Sequence, residues 1–114
     1  MKLFGIGNCD KVKKARRWLK DNGLACDFHD YKKAGVDLER LKAHVDKFGW
    51  ETVLNRKGTT WRKLSDEEKA AVVDAVSATR LLQANSSMIK RPILETDEDM
   101  LIDFDEQVWE KQLK

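Results

Sequence analysis

Cys9 is the residue of this sequence best placed to do chemistry. It lies in the segment GIGNCDKVKKARRWL, between a short apolar opening and a basic run with helical spacing. A thiol at the start of a helix faces free backbone N–H groups and the positive end of the helix dipole, and both favour the thiolate. Because the thiolate is the nucleophilic form of cysteine, Cys9 is a candidate nucleophile. A half-buried thiol without any reaction fits the same spacing equally well.

Two arginines have side chains that could bind an anion beside such a nucleophile. Arg91 directly precedes Pro92, the only proline, and Arg56 lies in the loop-like segment LNRKG. A guanidinium binds a carboxylate or an oxyanion through two parallel hydrogen bonds. A proline at the start of a strand can be cis, and it leaves a sheet edge open for a bound peptide or thiol. Either arginine alone also fits an ordinary surface charge, and the spacing does not show that both approach Cys9.

The second cysteine, Cys26, is predicted to be a core residue. It lies on a strand-like segment with Phe28 on the same face, and a free cysteine in such a place behaves as a small apolar side chain. The spacing of the cysteines and of His29 and His44 fits no zinc site. No metal site and no structural disulfide are therefore expected.

Hydrophobic periodicity predicts a βαβ unit at the start of the chain. The segment KLFGI is typical of a short buried strand, and an apolar stripe from Val12 to Leu19 indicates a helix. Asn8 or Asp10 is expected to cap this helix, and Gly23 to end it. The segment ACDFHDY alternates as a second strand, which must run parallel to the first.

The middle of the chain has helical spacing. Apolar residues recur over 38–48, between an Asp37 cap and a Gly49 stop. A short turn through WETVLN follows. The segment SDEE is a capping box that begins a helix carrying apolar residues up to Val76, and Ser77 opens one more helical piece.

The last third of the chain returns to strands. RPILE and DMLIDF flank the polar segment TDED, which predicts a hairpin. Asp105 then caps a final helix with Val108, Trp109 and Leu113 on its inner face. The predicted order is therefore β-α-β, a helical insertion, then β-β-α.

Length and charge limit the classes of protein that this chain can belong to. Its 114 residues suffice for one core, so residues 1–114 are predicted to form a single domain with a helical insertion at about 36–88. The 22 basic and 20 acidic side chains nearly balance, which argues against a nucleic-acid-binding protein. Charge is uneven, with a basic stretch at 11–20 and an acidic one at 95–106. A solvated helix face explains the basic stretch, and a field that draws anionic ligands toward Cys9 is the alternative.

No apolar run is long enough to cross a membrane, and the start of the sequence has no export signal. We therefore expect a cytoplasmic protein that does not bind membranes, and a monomer by default.

Three segments carry a family likeness. NCDKVKKARRWL, LNRKGTTWRKL and SSMIKRPIL, in this order and at these separations, resemble the arsenate-reductase-like family of the thioredoxin superfamily (ArsC/Spx/YffB). The likeness covers nearly the whole chain and is strongest to the YffB branch, proposed glutathione-dependent thiol reductases. It implies a thioredoxin-like α/β fold. In this fold a βαβ half and a ββα half share one mixed four-stranded sheet, with a helical insertion between them.

The resemblance also implies roles for individual residues. Cys9 matches the catalytic cysteine, Arg56 and Arg91 match arginines that hold anionic groups, and Pro92 matches the cis-proline. Asn8, beside the cysteine, is taken as a further binding residue. These assignments predict a glutathione-dependent thiol reductase without a bound cofactor, with glutathione or another small anionic thiol as its partner.

The sequence also departs from parts of the family pattern. No arginine follows Arg91, where arsenate reductases have a third one, and Gly5 stands where they have a histidine. Val12 replaces the second cysteine of the C-x-x-C pair in Spx regulators, so a resolving thiol must come from outside. Two alternatives remain open: a divergent arsenate reductase, and a non-enzymatic regulator of the Spx type that docks on a protein partner through 11–20 or 95–106.

Overall fold

Short strands from both ends of the chain form one mixed sheet in the computed structural model, which describes residues 1–114. The four strands are β1 (Lys2–Gly5), β2 (Asp27–Asp30), β3 (Ile93–Glu95) and β4 (Met100–Ile102). Their order across the sheet is β2-β1-β3-β4. β1 and β2 are parallel, whereas β3 pairs antiparallel with both β1 and β4. This arrangement confirms the predicted thioredoxin-like fold.

Eight α-helices and one short 3-10 helix (Ser86–Met88) complete the chain. The α-helices are α1 (Asp10–Asp21), α2 (Tyr31–Ala34), α3 (Leu38–Phe48), α4 (Trp50–Val53), α5 (Thr59–Arg62), α6 (Asp66–Ala70), α7 (Ala75–Ala84) and α8 (Glu106–Leu113). Even the longest of them has only 12 residues, and none combines the length and the apolar character that a membrane crossing requires.

One face of α1 packs on the sheet and fixes where the helix begins. The buried cluster consists of Leu3, Val12, Ala15, Trp18, Leu19, Leu94 and Trp109. The ring of Trp109 meets those of Trp18 and Phe104 edge-on, with centroids 6.0 and 4.8 Å apart. Truncating a buried tryptophan to alanine typically destabilises a protein by about 3–5 kcal/mol. The cluster therefore holds α1 and α8 firmly against the strands β1 and β3.

The chain divides into two compact units. One comprises Met1–Ala34 and Arg91–Lys114 and contains the sheet, and the other is Gly35–Lys90 and contains α3 to α7. The helical unit occupies the place in the chain of the insertion predicted at about 36–88. That all 114 residues act as a single domain remains a prediction.

Within the helical unit, α3 and α7 pack together, and an antiparallel bridge joins Leu54 to Ile89. The Lys90 N–H donates to the Val53 carbonyl oxygen at 2.7 Å. These contacts hold the end of α4 and the residue after it beside Ile89 and Lys90. They thereby anchor the start of the turn that carries Arg56.

Several local predictions about the helices are wrong. α6 stops at Ala70, and the valines that were expected to continue it, Val73 and Val76, are 69% and 60% exposed. The cause is a second capping box, in which the Asp74 side chain accepts the Ser77 N–H at 2.8 Å and starts α7. Ser77 therefore lies inside the first turn of α7 and does not open the helix.

Two further differences concern short elements. The WETVLN segment, expected as a turn, forms the four-residue helix α4. Val108 of α8 is 45% exposed, whereas Trp109 is buried and Leu113 packs against the core as predicted. Val108, in the first turn of α8, is therefore exposed to solvent although the apolar pattern predicts it on the inner face.

Candidate active site

Cys9 is itself the N-cap residue of α1. Its backbone is extended (φ −83°, ψ 127°), and no side chain caps the start of the helix. The predicted capping by Asn8 or Asp10 is therefore wrong. Asn8 precedes the cap position and Asp10 is already helical, so the residue between them takes that place. The N–H groups of the first turn are consequently left facing the Cys9 sulfur.

The environment of Cys9 favours the thiolate. Partial burial raises the pKa of the thiol, but the nearby backbone N–H groups of Val12 and Lys11 and the Arg91 side chain favour the charged form and outweigh this effect. The positive charge of Arg91 adds to them, so the pKa of Cys9 lies below its ordinary value. Since the thiol is only partly buried, a nucleophilic sulfur remains within reach of a substrate.

Arg91 lies beside Cys9 because it stands two residues before β3, which pairs with β1. Tyr31 forms part of its surroundings. Burial raises the pKa of the Tyr31 phenol well above its usual range, against the nearby charge of Arg91, and Glu95 raises it further. The Tyr31 phenol therefore stays neutral, so it does not form an ion pair with Arg91 in place of the Cys9 thiolate.

The Arg91–Pro92 peptide bond is cis, as the family resemblance implied. The expectation of an open sheet edge at Pro92 is wrong, however, because β3 lies between β1 and β4. The Pro92 carbonyl oxygen accepts the Asp103 N–H at 2.8 Å, so this backbone group is already engaged within the protein.

Asp103 is a residue of this site that sequence reasoning missed. Its backbone has a positive φ of 65°, a conformation that aspartate tolerates better than most residues. Its carboxylate forms an ion pair with Lys11 at 2.7 Å, and its carbonyl oxygen accepts the Trp109 indole N–H at 3.1 Å. Asp103 thereby joins the loop after β4 to the first turn of α1, close to Cys9. Its position within LIDFDE carried no signal for this role beyond the absence of an arginine.

Arg56 lies in the helical unit, in an exposed turn between α4 and α5. Its guanidinium carbon lies 5.5 Å from the centroid of the Trp50 ring and 5.8 Å from that of the Trp61 ring. A guanidinium between two indole faces is attracted by both, so the two tryptophans hold the side chain of Arg56 in the turn. Its action on an anion bound at Cys9 remains a prediction.

Asn8 is exposed and lines an open cleft beside α1. The preceding Gly7 donates its N–H to the Asp30 carboxylate at 3.1 Å, which ties the turn before Cys9 to the end of β2. Asn8 is therefore held next to the sulfur by backbone contacts, and its role in binding remains a prediction.

Cys26 lies at the edge of the core and is not fully buried, so the prediction of a core residue is confirmed only in part. It is half-buried and packs against the cluster around α1, and burial raises the pKa of its thiol. Only Cys9 of the two cysteines has surroundings that favour the thiolate. No group of three or more His, Cys, Asp or Glu side chains is arranged to hold a metal ion.

Comparisons with known proteins agree with this geometry. A sequence model described as the ArsC family matches residues 4–112. The chain is 40% identical to an uncharacterized protein of Haemophilus influenzae, over 95% of this chain and 94% of that protein. A solved structure of a protein named YFFB is 46% identical, with a TM-score of 0.93, and covers 99% of this chain and 98% of its own. The global transcriptional regulator Spx of Streptococcus agalactiae is 27% identical, over 91% of this chain and 76% of the regulator.

Proposed function

The chain belongs to the ArsC family, and we propose that it is a glutathione-dependent thiol reductase with Cys9 as its single nucleophile. The observation that carries the proposal is the position of Cys9 at the N-cap of α1, where the N–H groups of the first turn and the Arg91 guanidinium lower the pKa of its thiol. We propose that the protein works as a monomer in the cytoplasm, where a reduced glutathione pool supplies the second thiol.

The reaction needs one protein thiol and two steps of thiol–disulfide exchange. The Cys9 thiolate attacks the glutathione sulfur of a mixed disulfide between glutathione and a substrate thiol. A new S–S bond forms between Cys9 and glutathione, and the substrate leaves as a thiolate that takes a proton from water. A second glutathione, as its thiolate, then attacks the glutathione sulfur held on Cys9, which releases glutathione disulfide and regenerates the Cys9 thiolate. The substrate gains two electrons, and the glutathione pool loses two.

The first turn of α1 stabilises Cys9 both as the attacking and as the leaving thiolate, because its N–H donors are fixed in the folded protein. In this scheme Arg91 also stabilises the Cys9 thiolate, and it binds a carboxylate of glutathione. Asn8 orients the peptide, and Arg56 binds a second anionic group.

The test compares the two cysteines. Cys9→Ser is expected to abolish reduction of a glutathionylated substrate by glutathione, because serine has no ionisable thiol at neutral pH. Cys26→Ser is the matched control and is expected to keep most of the activity, since Cys26 packs against the core. Equal rates for wild type and Cys9→Ser would exclude the proposal, provided that circular dichroism shows both proteins folded.

A regulator that docks on another protein is the second candidate, and the Spx relative favours it. The contact surface would be the basic stretch at 11–20 or the acidic one at 95–106. Partner capture that is identical for wild type and Cys9→Ser, together with no measurable thiol exchange, would favour this function.

An arsenate reductase is disfavoured on electrostatic grounds. The position after β4 carries Asp103, whose carboxylate neutralises Lys11 at 2.7 Å. This carboxylate would repel an oxyanion with several charged oxygens, whereas a third arginine at the same position would attract it. An arsenate reduction assay with glutathione and glutaredoxin is expected to show no turnover.

A further inference from the structure

A basic cleft runs along α1 beside the turn that carries Cys9, and the residues discussed above do not account for it. The basic cleft is lined by Asn8, Lys13, Arg16, Phe28, Asp30 and Lys33, among others, and has a volume of about 820 Å³. This volume lies within the range of sites that bind small molecules. One end of the basic cleft is formed by Asn8, the neighbour of the nucleophile.

Basic side chains outnumber carboxylates in the lining of the basic cleft. Lys13 and Arg16 form no ion pair with a carboxylate of the protein, whereas the charge of Lys33 helps to hold the pKa of Asp30 below its usual range. The Arg16 guanidinium lies over the ring of Phe28, 4.2 Å from its centroid. Because such stacking uses the face of the guanidinium, the N–H donors in its plane remain suited to an anion.

Asp30 is the one carboxylate in the lining, and its oxygens are engaged by the backbone. One oxygen accepts the Lys32 N–H at 2.8 Å and the other accepts the Gly7 N–H at 3.1 Å. The Lys32 N–H does most to hold the pKa of Asp30 below its usual range, against partial desolvation, and the Gly7 N–H adds to it. A Cβ atom on Gly7 would lie 2.9 Å from this carboxylate. Asp30 therefore has a structural role in the wall of the basic cleft. The charged side chains that remain to bind a ligand there are positive.

We infer that the basic cleft binds a carboxylate of an acidic peptide thiol of the size of glutathione, as a subsite separate from Arg91. This inference deepens the proposed thiol reductase function and rests on it for the placement of the ligand sulfur. An extended peptide of three residues spans about 10 Å, enough to reach from a sulfur at Cys9 past Asn8 into the cleft. Two carboxylates at the two ends of one peptide can then meet Arg91 and the basic cleft together.

S-Methylglutathione tests the subsite in the wild-type protein, because its capped sulfur cannot exchange with Cys9. Its titration is followed by amide chemical shifts, and Asn8, Lys13 and Lys33 are expected to move. The double variant Lys13→Gln/Lys33→Gln is expected to bind about tenfold more weakly, since two charge-assisted contacts at a partly exposed site are lost. The dimethyl ester of the ligand should bind wild type and this variant equally weakly.

The variant Arg17→Gln/Lys20→Gln is the matched control. It removes the same charge from the protein, and from the same helix as Lys13, but neither side chain lines the basic cleft. Its affinity is expected to change less than twofold. Equal weakening in both double variants, shifts confined to residues outside the basic cleft, or no binding would overturn the subsite.

Kinetics separate this inference from the function on which it rests. An active wild type with an unchanged KM for glutathione in Lys13→Gln/Lys33→Gln would remove the subsite and leave the thiol reductase intact. Absence of thiol exchange in every form, with ligand binding that still depends on Lys13 and Lys33, would remove the reductase function and retain the subsite.

Discussion

Replacing Arg91 by glutamine tests the electrostatics of the site most directly. The Arg91 side chain donates a hydrogen bond to Cys9 and places a positive charge beside it, and both lower the pKa of the thiol. Glutamine keeps a polar side chain but has no charge and is two bonds shorter. We therefore expect the pKa of Cys9 to rise in Arg91→Gln, although the Val12 and Lys11 N–H groups still hold it down.

The size of the effect follows from the exposure of the sulfur. A hydrogen bond to a charged group contributes about 1.5–3 kcal/mol, and solvent screening at a partly exposed site leaves about 1 kcal/mol. At a pH well below the pKa, this loss reduces the thiolate fraction about fivefold. A more basic thiolate is also more nucleophilic, with a Brønsted coefficient of about 0.4–0.5, which returns about a factor of two. Arg91→Gln should therefore react about twofold more slowly at low pH and about twofold faster at high pH.

The assay is the rate of alkylation by iodoacetamide as a function of pH, monitored by mass spectrometry of the Cys9 peptide. The rate profiles of wild type and Arg91→Gln are expected to cross, which a loss of folding or of access would not produce. Arg17→Gln, an exposed arginine of α1, serves as the control and should follow the wild-type profile. Superimposable profiles for wild type and Arg91→Gln would refute the assigned role of Arg91, and a uniform change at all pH values would indicate altered access.

Two further predictions concern the elements that hold the site. Trp61→Ala is expected to raise the KM for a glutathionylated substrate about two- to fivefold with little change in kcat. One partly exposed cation–π contact to Arg56 contributes about 0.5–1 kcal/mol. Trp61→Phe should reverse most of the change in KM. Equal KM values for wild type, Trp61→Ala and Trp61→Phe would contradict this role of Trp61. Gly5→Ala is expected to reduce the free energy of unfolding by about 1–3 kcal/mol, because its Cβ would lie 2.7 Å from Cγ2 of the fully buried Val12. Urea denaturation measures this change, and an unaltered midpoint would show that the start of α1 accommodates the added methyl group without loss of stability.

Local patterns in the sequence predicted those elements whose apolar residues all face one core. The stripe from Val12 to Leu19 corresponds to the buried face of α1, and the segments RPILE and DMLIDF on either side of the polar TDED correspond to the β3–β4 hairpin. The Ser65 capping box was also recognisable, because both of its partners lie within four residues. In each case the determining contacts are short-range or belong to a single amphipathic face.

The failures occur where a short-range preference competes with another signal. Val73 and Val76 have helical spacing relative to α6, but the Asp74 side chain breaks that helix and starts α7, and both valines become exposed. Likewise, a side-chain cap at Asn8 or Asp10 was plausible from residue type alone. Which residue takes the N-cap depends on where the strand before it ends.

The contact between Arg91 and Cys9 is long-range, and no periodicity in the sequence encodes it. Arg91 meets Cys9 only because β3 pairs with β1, and Trp50 and Trp61 meet Arg56 only because α4 and α5 flank its turn. The functional roles of these residues come from the family resemblance and stay predictions. The structure shows how Arg91 acts on the sulfur and which rings hold Arg56.

The distribution of charge around Cys9 supports a thiol substrate over an oxyanion. On one side of α1, Lys11 is neutralised by Asp103, so the loop after β4 offers no net positive charge to a small tetrahedral anion. On the side that faces β2, Lys13 and Arg16 of the basic cleft form no ion pair with a carboxylate, and backbone N–H groups donate to the one carboxylate in its lining, Asp30. The positive charge that remains without an ion pair therefore lies in the basic cleft, where it suits the carboxylate of a peptide whose sulfur is at Cys9.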